Sequence, residues 1–377
     1  MALWPVWHYP SPAIHQRLNA QLEPPLGSDD IQHMIEVDEH NVVDYLHKTG
    51  QLEPKTAALA ERLAWGVSNV VVRIHPVTGP DFVVKQSREQ LRTRADWFSR
   101  LDRIYREVDV MKTLAGILPQ GVVPAILFEA RDDYLFAMEA VSADHIVWKA
   151  DLLSGHFEPE IAGALGDYLA TIHRQTANDA AIKERWSDRE VFEQLRIDPF
   201  YERIAVVHPE IDAPIKKLIR ETAELSLCAV HGDFSPKNVL IANRKITLVD
   251  YETGHFGDPA FDLGFFLSHL LLKTVLHASR RQEMLELIRV FWTNYQRGLD
   301  GLAEVSEFSA AELARRTIAN TAACMLSRID GKSPVDYLPR DDQQNLVRQF
   351  AINCLLKPPT SLESMFSTLD TSVAKIA

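Results

Sequence analysis

The sequence predicts an α+β chain in two lobes, a small first lobe built on an antiparallel sheet with one helix and a larger second lobe that is mainly helical. Three observations predict it. β-branched runs paired across turn-forming residues crowd the stretch before Val141. Beyond it the apolar positions fall at helical spacing over long stretches. A length of 377 residues exceeds what one core usually serves, so two lobes with a cleft between them are expected.

An irregular arm is expected over residues 1–34, where five prolines fall in the first thirty positions without a sustained period. The first lobe is assigned to residues 35–141. It opens on a short helix from Ile35 to Leu46, with Ile35, Val42, Val43 and Leu46 near helical spacing and Gly50 as its stop. Val70 to Ile74 and Phe82 to Lys85, separated by the turn-forming segment Pro76 to Pro80, predict a hairpin. A helix follows from about Ala95 to Leu118, with Ile104, Val108, Met111 and Leu114 on one stripe and Pro119 closing it. Two more strands, Ala125 to Glu129 and Tyr134 to Met138, complete this lobe. Residues 142–377 form the second lobe, with helices over Ile161 to His173, Ala213 to Leu225, Phe261 to Leu272 and Gln282 to Arg297. One hairpin interrupts them, Val239 to Ile241 and Ile246 to Val249 joined through Asn243 and Arg244.

Composition removes several classes. A hydrophobic fraction of 46% and a charged fraction of 24% are ordinary globular values. The net charge of −12 argues against a general nucleic-acid binder, because phosphate-tracking surfaces need clustered Lys and Arg. Cys228, Cys324 and Cys354 are far apart with no CxxC pair, and read as reduced core residues. No apolar stretch reaches the roughly 18 residues of a spanning helix. The longest, Phe261 to Leu272, is interrupted by Asp262 and His269 and reads as a buried helix. The N-terminus shows no positive segment followed by an apolar core. A cytoplasmic protein is expected, with no membrane and no nucleic-acid partner; composition leaves the oligomeric state open.

The strongest chemical signal is His231-Gly232-Asp233-Phe234-Ser235-Pro236-Lys237-Asn238, followed by a hairpin that delivers Asp250. Phosphoryl transfer needs a carboxylate to orient and accept the proton of the attacking hydroxyl, and oxygen ligands to hold magnesium against the phosphates. An Asp, an Asn five positions later and a second Asp at a strand end supply both. A polar turn would account for Asp, Asn and Gly, but not for the His, the spacing and the later Asp together.

On these residues the chain resembles the aminoglycoside phosphotransferase and choline kinase superfamily, small-molecule kinases of protein-kinase-like fold, from about residue 60 to residue 270. The resemblance implies Asp233 as catalytic base, Asn238 and Asp250 as magnesium ligands, His231 as a support for the loop, and Asp262 of the Asp258/Asp262 pair as its anchor through backbone hydrogen bonds. Gly232 stands where protein kinases have the Arg of HRD, so no phosphorylation switch is expected. Asp250 is followed by Tyr251-Glu252 rather than Phe-Gly, and Glu252 is a candidate further carboxylate near the metal. By the same resemblance the first lobe positions ATP. Gly66, Ser68 and Asn69 fall in the loop that would cover the phosphates, where small residues let backbone N–H groups approach, although Trp65 stands where relatives often have a second glycine. Lys85 matches the lysine that pairs with the α/β-phosphates, and Glu107 is its candidate partner, with Asp102 and Asp109 as neighbours competing for that role. Met138, Glu139 and Val141 fall on the hinge, the first to pack on adenine and the others to read it through the main chain.

The expected activity is transfer of the γ-phosphoryl of ATP, with Mg2+, to a hydroxyl of a small molecule of aminoglycoside, sugar or amino-alcohol type. A nucleotide-binding pseudokinase and a protein Ser/Thr kinase are the alternatives. The acceptor stays open: the Ile197-Asp198-Pro199-Phe200 stretch resembles methylthioribose kinases, whereas Asp250-Tyr251-Glu252 resembles choline kinases. Arg328 and Asp330 are candidate lining residues, and Glu252, Asp258 and Asp330 together would make an acidic pocket suited to an amine.

Overall fold

The computed structural model describes residues 34–63, 68–91, 97–299, 301–302 and 308–377; apart from Met34, the expected arm lies outside them. Glu36–Ala377 is one compact unit. It opens on helix α1, Val42–Lys48, which starts later than its apolar spacing predicts. The carboxylate of Asp38 accepts the backbone N–H groups of His40 and Asn41 at 2.8 and 3.0 Å, and the Asn41 side chain accepts that of Asp38 at 2.8 Å. These local bonds compete with helix over Ile35 to Asn41. Gly50 takes the left-handed backbone, φ 72°, just beyond the end.

Five strands follow, β1 Ala58–Arg62, β2 Asn69–Pro76, β3 Phe82–Ser87, β4 Ile126–Ala130 and β5 Leu135–Glu139. They form one antiparallel sheet in the order β1-β2-β3-β5-β4. The alternation of strand side chains divides it into two faces. Val70, Val72, Ile74, Phe82 and Val84 pack with Tyr45 and Leu46 of α1. Val83 and Met138 turn to the other face and join the main core, and Lys85, two positions from Val83, shares that face. Strand β1 carries no strand signal, since Ala and Glu are poor strand formers; pairing with β2 overrides the propensity.

Helix α2, Arg103–Ala115, covers this second face. It begins about eight residues after the predicted start. Residues 97–102 are instead tied to other backbone: Leu91 N–H donates to Trp97 O, Ser99 N–H donates to Glu89 O, and the Trp97 indole donates to Gln194 O at 2.9 Å.

Beyond Glu139 the chain is mainly helical, with two small sheets. Strands β6 Ile146–Val147, β8 Val239–Ala242 and β9 Lys245–Leu248 form one, and β7 Cys228–Val230 with β10 His255–Gly257 the other. The α-helices of seven residues or more among the described residues here are α3 Trp148–Ser154, α4 Pro159–Thr176, α5 Ala180–Trp186, α6 Asp212–Glu224, α7 Pro259–Leu276, α8 Arg281–Gly298, α9 Ala310–Asp330, α10 Asp341–Leu356 and α11 Leu362–Val373. The four helices and the hairpin expected here are all present. Between α5 and α6 the segment Glu193–Glu202 winds as a π-helix containing Pro199; proline has no N–H to continue the regular ladder.

Among the described residues α7 alone is long and apolar enough to cross a membrane, and 94% of that stretch is buried inside the protein. It is a core helix, as its interruption by Asp262 and His269 predicted. It packs on α9 where Gly264 admits the facing backbone: a Cβ there would lie 2.4 Å from Asn320 Cβ and 2.8 Å from Thr321 N. Gly264→Ala is expected to cost about 1–3 kcal/mol through forced separation of the two helices, read as a lower urea midpoint at unchanged slope.

Candidate active site

The segment after β7 is held from below by one carboxylate. Asp262, on the first turn of α7 and fully buried, accepts His231 N–H at 2.7 Å and Gly232 N–H at 2.8 Å, one on each oxygen. Burial works against its ionised form, but the neighbouring His173, 3.3 Å away, and His231 hold its pKa below the ordinary value. Gly232 has φ 75°, and a Cβ there would meet Thr253 O and Oγ1 at 2.7 Å. Only glycine fits, which explains why no arginine occupies this position. Burial lowers the pKa of His231, whose neutral ring accepts Asp233 N–H at Nδ1, 3.2 Å.

This backbone aims Asp233, which is 3% exposed. Its Oδ2 meets Lys237 Nζ at 2.7 Å and Arg196 Nη2 at 3.1 Å, while its buried Oδ1 has no partner. Arg196 comes from the π-helical segment and also donates to Gly232 O at 2.8 Å, so it fixes the carboxylate and the loop together. Asn238 donates its side-chain amide to Asp233 O at 2.9 Å, leaving its amide oxygen as the outward group.

The hairpin β8–β9 turns on Asn243 and Arg244, both with positive φ, as the two-residue turn requires. It returns to place Asp250 beside the loop, with Val249 N–H donating to Asn238 O at 3.1 Å. Asp250 has φ 72°, an uncommon backbone for a non-glycine residue and a mark of functional sites. Its carboxylate lies 2.8 Å from Lys85 Nζ and 3.8 Å from Lys237 Nζ. Burial opposes its charge, yet those two ammonium groups hold its pKa far below the ordinary range. Lys85 also meets Glu107 at 2.7 Å, and Glu107 accepts Tyr251 N–H at 3.2 Å. Glu107, rather than Asp102 or Asp109, is therefore the partner of Lys85. Burial raises its pKa despite the lysine.

Two cavities meet here. One is lined by Met138, Glu139 and Val141 on the strand side and by Lys85, Asn238 and Asp250 deeper in. The other, about 320 Å³, is lined by Asp233 and by residues of α7, α9 and the segment after α9. Ser68, Lys237 and Asp250 border both. Glu139 N–H is already used by Ala125 O, and Val141 O by Arg73.

Three expectations are corrected. Glu252 is not a free carboxylate beside a metal: it accepts from Ser68 Oγ at 2.6 Å, Asn69 Nδ2 at 2.8 Å and Arg103 Nε at 3.0 Å. It ties the sheet to the catalytic segment, and the side chains of Ser68 and Asn69 are committed to it; Trp65 and Gly66 lie outside the described residues. Asp258 caps α7 and pairs with Arg316 at 2.9 Å, and Asp330 pairs with Arg348 and His208 at 2.7 Å. The acidic pocket expected from these three carboxylates is not formed. Sequence reasoning missed Arg196 and Lys237, and singled out Arg328, which does line the second cavity, without its basic neighbours Lys149 and Lys273.

Among the described residues no group of three or more His, Cys, Asp or Glu could hold a metal unaided. Asn238 and Asp250 offer oxygen donors, the set a hard cation takes when phosphate oxygens and water complete its shell.

Fold and site together define a kinase acting on small molecules. The family model of the phosphotransferase enzyme family matches residues 60–308. Methylthioribose kinase of Pectobacterium carotovorum is 26% identical over 294 residues, 68% of this chain and 73% of that protein. That of Erwinia tasmaniensis is 26% identical over 302 residues, 70% and 75%. A solved structure of amicoumacin kinase hAmiN in complex with AMP-PNP, Ca2+ and Ami superposes with a TM-score of 0.53 at 15% identity, covering 86% of this chain and 95% of that one. The chain belongs to the phosphotransferase enzyme family, and is an ATP-dependent phosphotransferase of small molecules with the protein-kinase-like fold.

The Glu252 clamp has a signed pH dependence. Burial opposes the carboxylate, but Arg103 lowers its pKa below the ordinary value of 4.5, so its contribution is present above that value and is lost as pH falls through the folded one. Arg103→Met is expected to cost about 3–5 kcal/mol at pH 7, since it strands a buried charge. Urea titrations of both proteins should find that gap closing as pH falls below about 4.5.

Proposed function

We propose that the chain moves the γ-phosphoryl of ATP to a hydroxyl held against Asp233, with residues 35–141 as the nucleotide lobe and 142–377 as the catalytic and acceptor lobe. The observation that carries this is the unpaired Oδ1 of Asp233, in a cavity that meets the Lys85 cleft at Lys237 and Asp250. A base needs one oxygen open to the acceptor proton and an orientation fixed by other contacts. Oδ1 has no competing partner, and Arg196, Lys237 and the loop backbone hold Oδ2 and the main chain.

In this reading Met138 packs on the adenine, and Glu139 O and Val141 N–H, the groups not used by Ala125 and Arg73, read its edge. Lys85, pinned by Glu107, contacts the phosphates; backbone N–H groups near Ser68 and Asn69 cover them. Asn238 and Asp250 hold Mg2+, which when bound screens the phosphate charge against the incoming oxygen. Lys237 bridges the two aspartates, at 2.7 and 3.8 Å, where the transferred group would pass. It neutralises charge developing on that group. The acceptor hydroxyl gives its proton to Asp233 as the P–O bond forms and ADP leaves. Because a silent nucleotide-binding module is free to lose them, the grouping of Lys85, Asp233, Asn238 and Asp250 round one cleft favours catalysis. The relatives' name, methylthioribose kinase, supports an acceptor with a sugar-like hydroxyl.

Asp233→Ala should lower kcat by at least about a hundredfold while ATP affinity changes little, because the base acts on the acceptor. Asp250→Ala should instead weaken Mg-ATP binding. Coupled ADP release and calorimetric titration of the ATP analogue AMP-PNP with Mg2+ separate the two; near-normal turnover in Asp233→Ala removes the assignment.

A further inference from the structure

The wall of the second cavity away from Asp250 is basic, and its cations have no ion pair among the described residues. Lys149 of α3, Lys273 of α7 and Arg328 of α9 converge on it. Lys273 is 1% exposed, and its ammonium has one hydrogen bond, to His269 O at 3.1 Å on its own helix. It stands 5.0 Å from the centre of the Tyr337 ring, and Lys149 stands 5.9 Å from the same ring. Arg328 donates Nη1 to Ser333 Oγ at 2.9 Å, and its buried Nε has no partner. No carboxylate lies within ion-pairing distance of these three cations among the described residues. The cavity's carboxylates are engaged elsewhere: Asp233 by Arg196 and Lys237, Asp250 by Lys85, Glu252 by Arg103. Asp336, exposed at the rim, acts on Lys149 only from beyond ion-pairing distance.

Buried charges are normally paired, and like charges gathered in a low-dielectric pocket repel. Three cations from three helices, with the Nε2 of His269 and the hydroxyl of Tyr337 also unpartnered beside them, form a site that lacks an anion. The wall is continuous with the base, because the guanidinium groups of Arg196 and Arg328 both lie 5.9 Å from the ring centre of Phe200.

We infer that the acceptor is an anionic polyol or hydroxy acid, its carboxylate or phosphate seated between Lys149, Lys273 and Arg328 and its hydroxyl at Asp233. This deepens the assignment of Asp233 as base and rests on it. The lowered pKa of Lys273, about 7, caused by burial and then by Lys149 and Arg328, agrees with an ammonium awaiting a counter-charge. Neutral and amine-bearing acceptors leave that charge unmet or add to it.

The test uses the full chain with Mg-ATP. ADP release is measured with D-gluconate and D-glycerate as carboxylates, D-ribose 5-phosphate as a phosphate ester, D-ribose and methylthioribose as neutral acceptors, and choline and kanamycin as cations, with Asp233→Ala as blank. In parallel, gluconate and ribose 5-phosphate are titrated calorimetrically into protein saturated with Mg2+ and AMP-PNP. At least one anion should bind and be turned over, and gluconate against ribose 5-phosphate tells carboxylate from phosphate. Lys273→Met and Arg328→Met should each raise KM for that acceptor by roughly tenfold to a hundredfold, the scale of a lost charged hydrogen bond, with KM for ATP unchanged. Lys273→Met should keep or raise Tm, which a merely structural lysine would not do. Preference for neutral or cationic acceptors, a shift in KM for ATP instead, or no anion binding by calorimetry overturns the inference. If ADP release survives in Asp233→Ala, the assignment of the base fails separately.

Discussion

The Asp262 carboxylate is the constraint on which the site depends. Two successive backbone N–H groups, of His231 and Gly232, end on its two oxygens. They fix the chain direction entering Asp233 to within the tolerance of a hydrogen bond. The glycine is obligatory because that direction brings the backbone onto Thr253 with positive φ. Asp262 can do this because it sits on the first turn of the most buried helix among the described residues, with His173 beside it and Tyr295 in turn on His173 at 2.9 Å. A rigid core element thus positions a loop that has no regular structure of its own, an arrangement suited to reacting groups that must stay within fractions of an ångström.

The sheet reaches the same loop through two buried ionic links. Lys85 of β3 meets both Glu107 of α2 and Asp250, and Arg103 of α2 meets Glu252, which also accepts from Ser68 and Asn69. Both links end on residues of one short stretch, Asp250 to Glu252, directly after the β8–β9 hairpin. Asp250, which has positive φ, and Glu252, two positions on, give their carboxylates to different partners. Buried ion pairs of this kind are weak contributors to stability but strong determinants of relative placement. The cleft between sheet and helices is set by these pairs.

What was legible in the sequence follows from what local chemistry can encode. The hairpins, the α7 helix and the grouping of Asp233, Asn238 and Asp250 were legible because residue type and spacing are the device itself. Lys85 was legible from its place at the end of a predicted strand and its likeness to the phosphate-pairing lysine. The strand β1 was not legible, since its Ala and Glu residues take their conformation from β2. Nor was the late start of α2, which depends on the Trp97 indole reaching Gln194 O, 97 positions away. The commitments of Glu252, Asp258 and Asp330 were misread because each partner is remote; Arg103 lies 149 positions from Glu252. The basic wall was invisible for the same reason: Lys149, Lys273 and Arg328 lie on three helices whose convergence no sequence period announces.

On this geometry Asp262 acts only by holding Asp233. A double-mutant cycle measures it directly. Asp262→Asn keeps the volume but turns one acceptor into a donor, so one of the two loop N–H groups loses its partner. Alone, the substitution should lower kcat by about a hundredfold, the cost of misplacing a reacting group, with KM for ATP unchanged. Combined with Asp233→Asn it should lower kcat no further than Asp233→Asn alone, because residues acting as a unit are non-additive. Losses that multiply across the two sites would contradict the claim and assign Asp262 a role independent of the base.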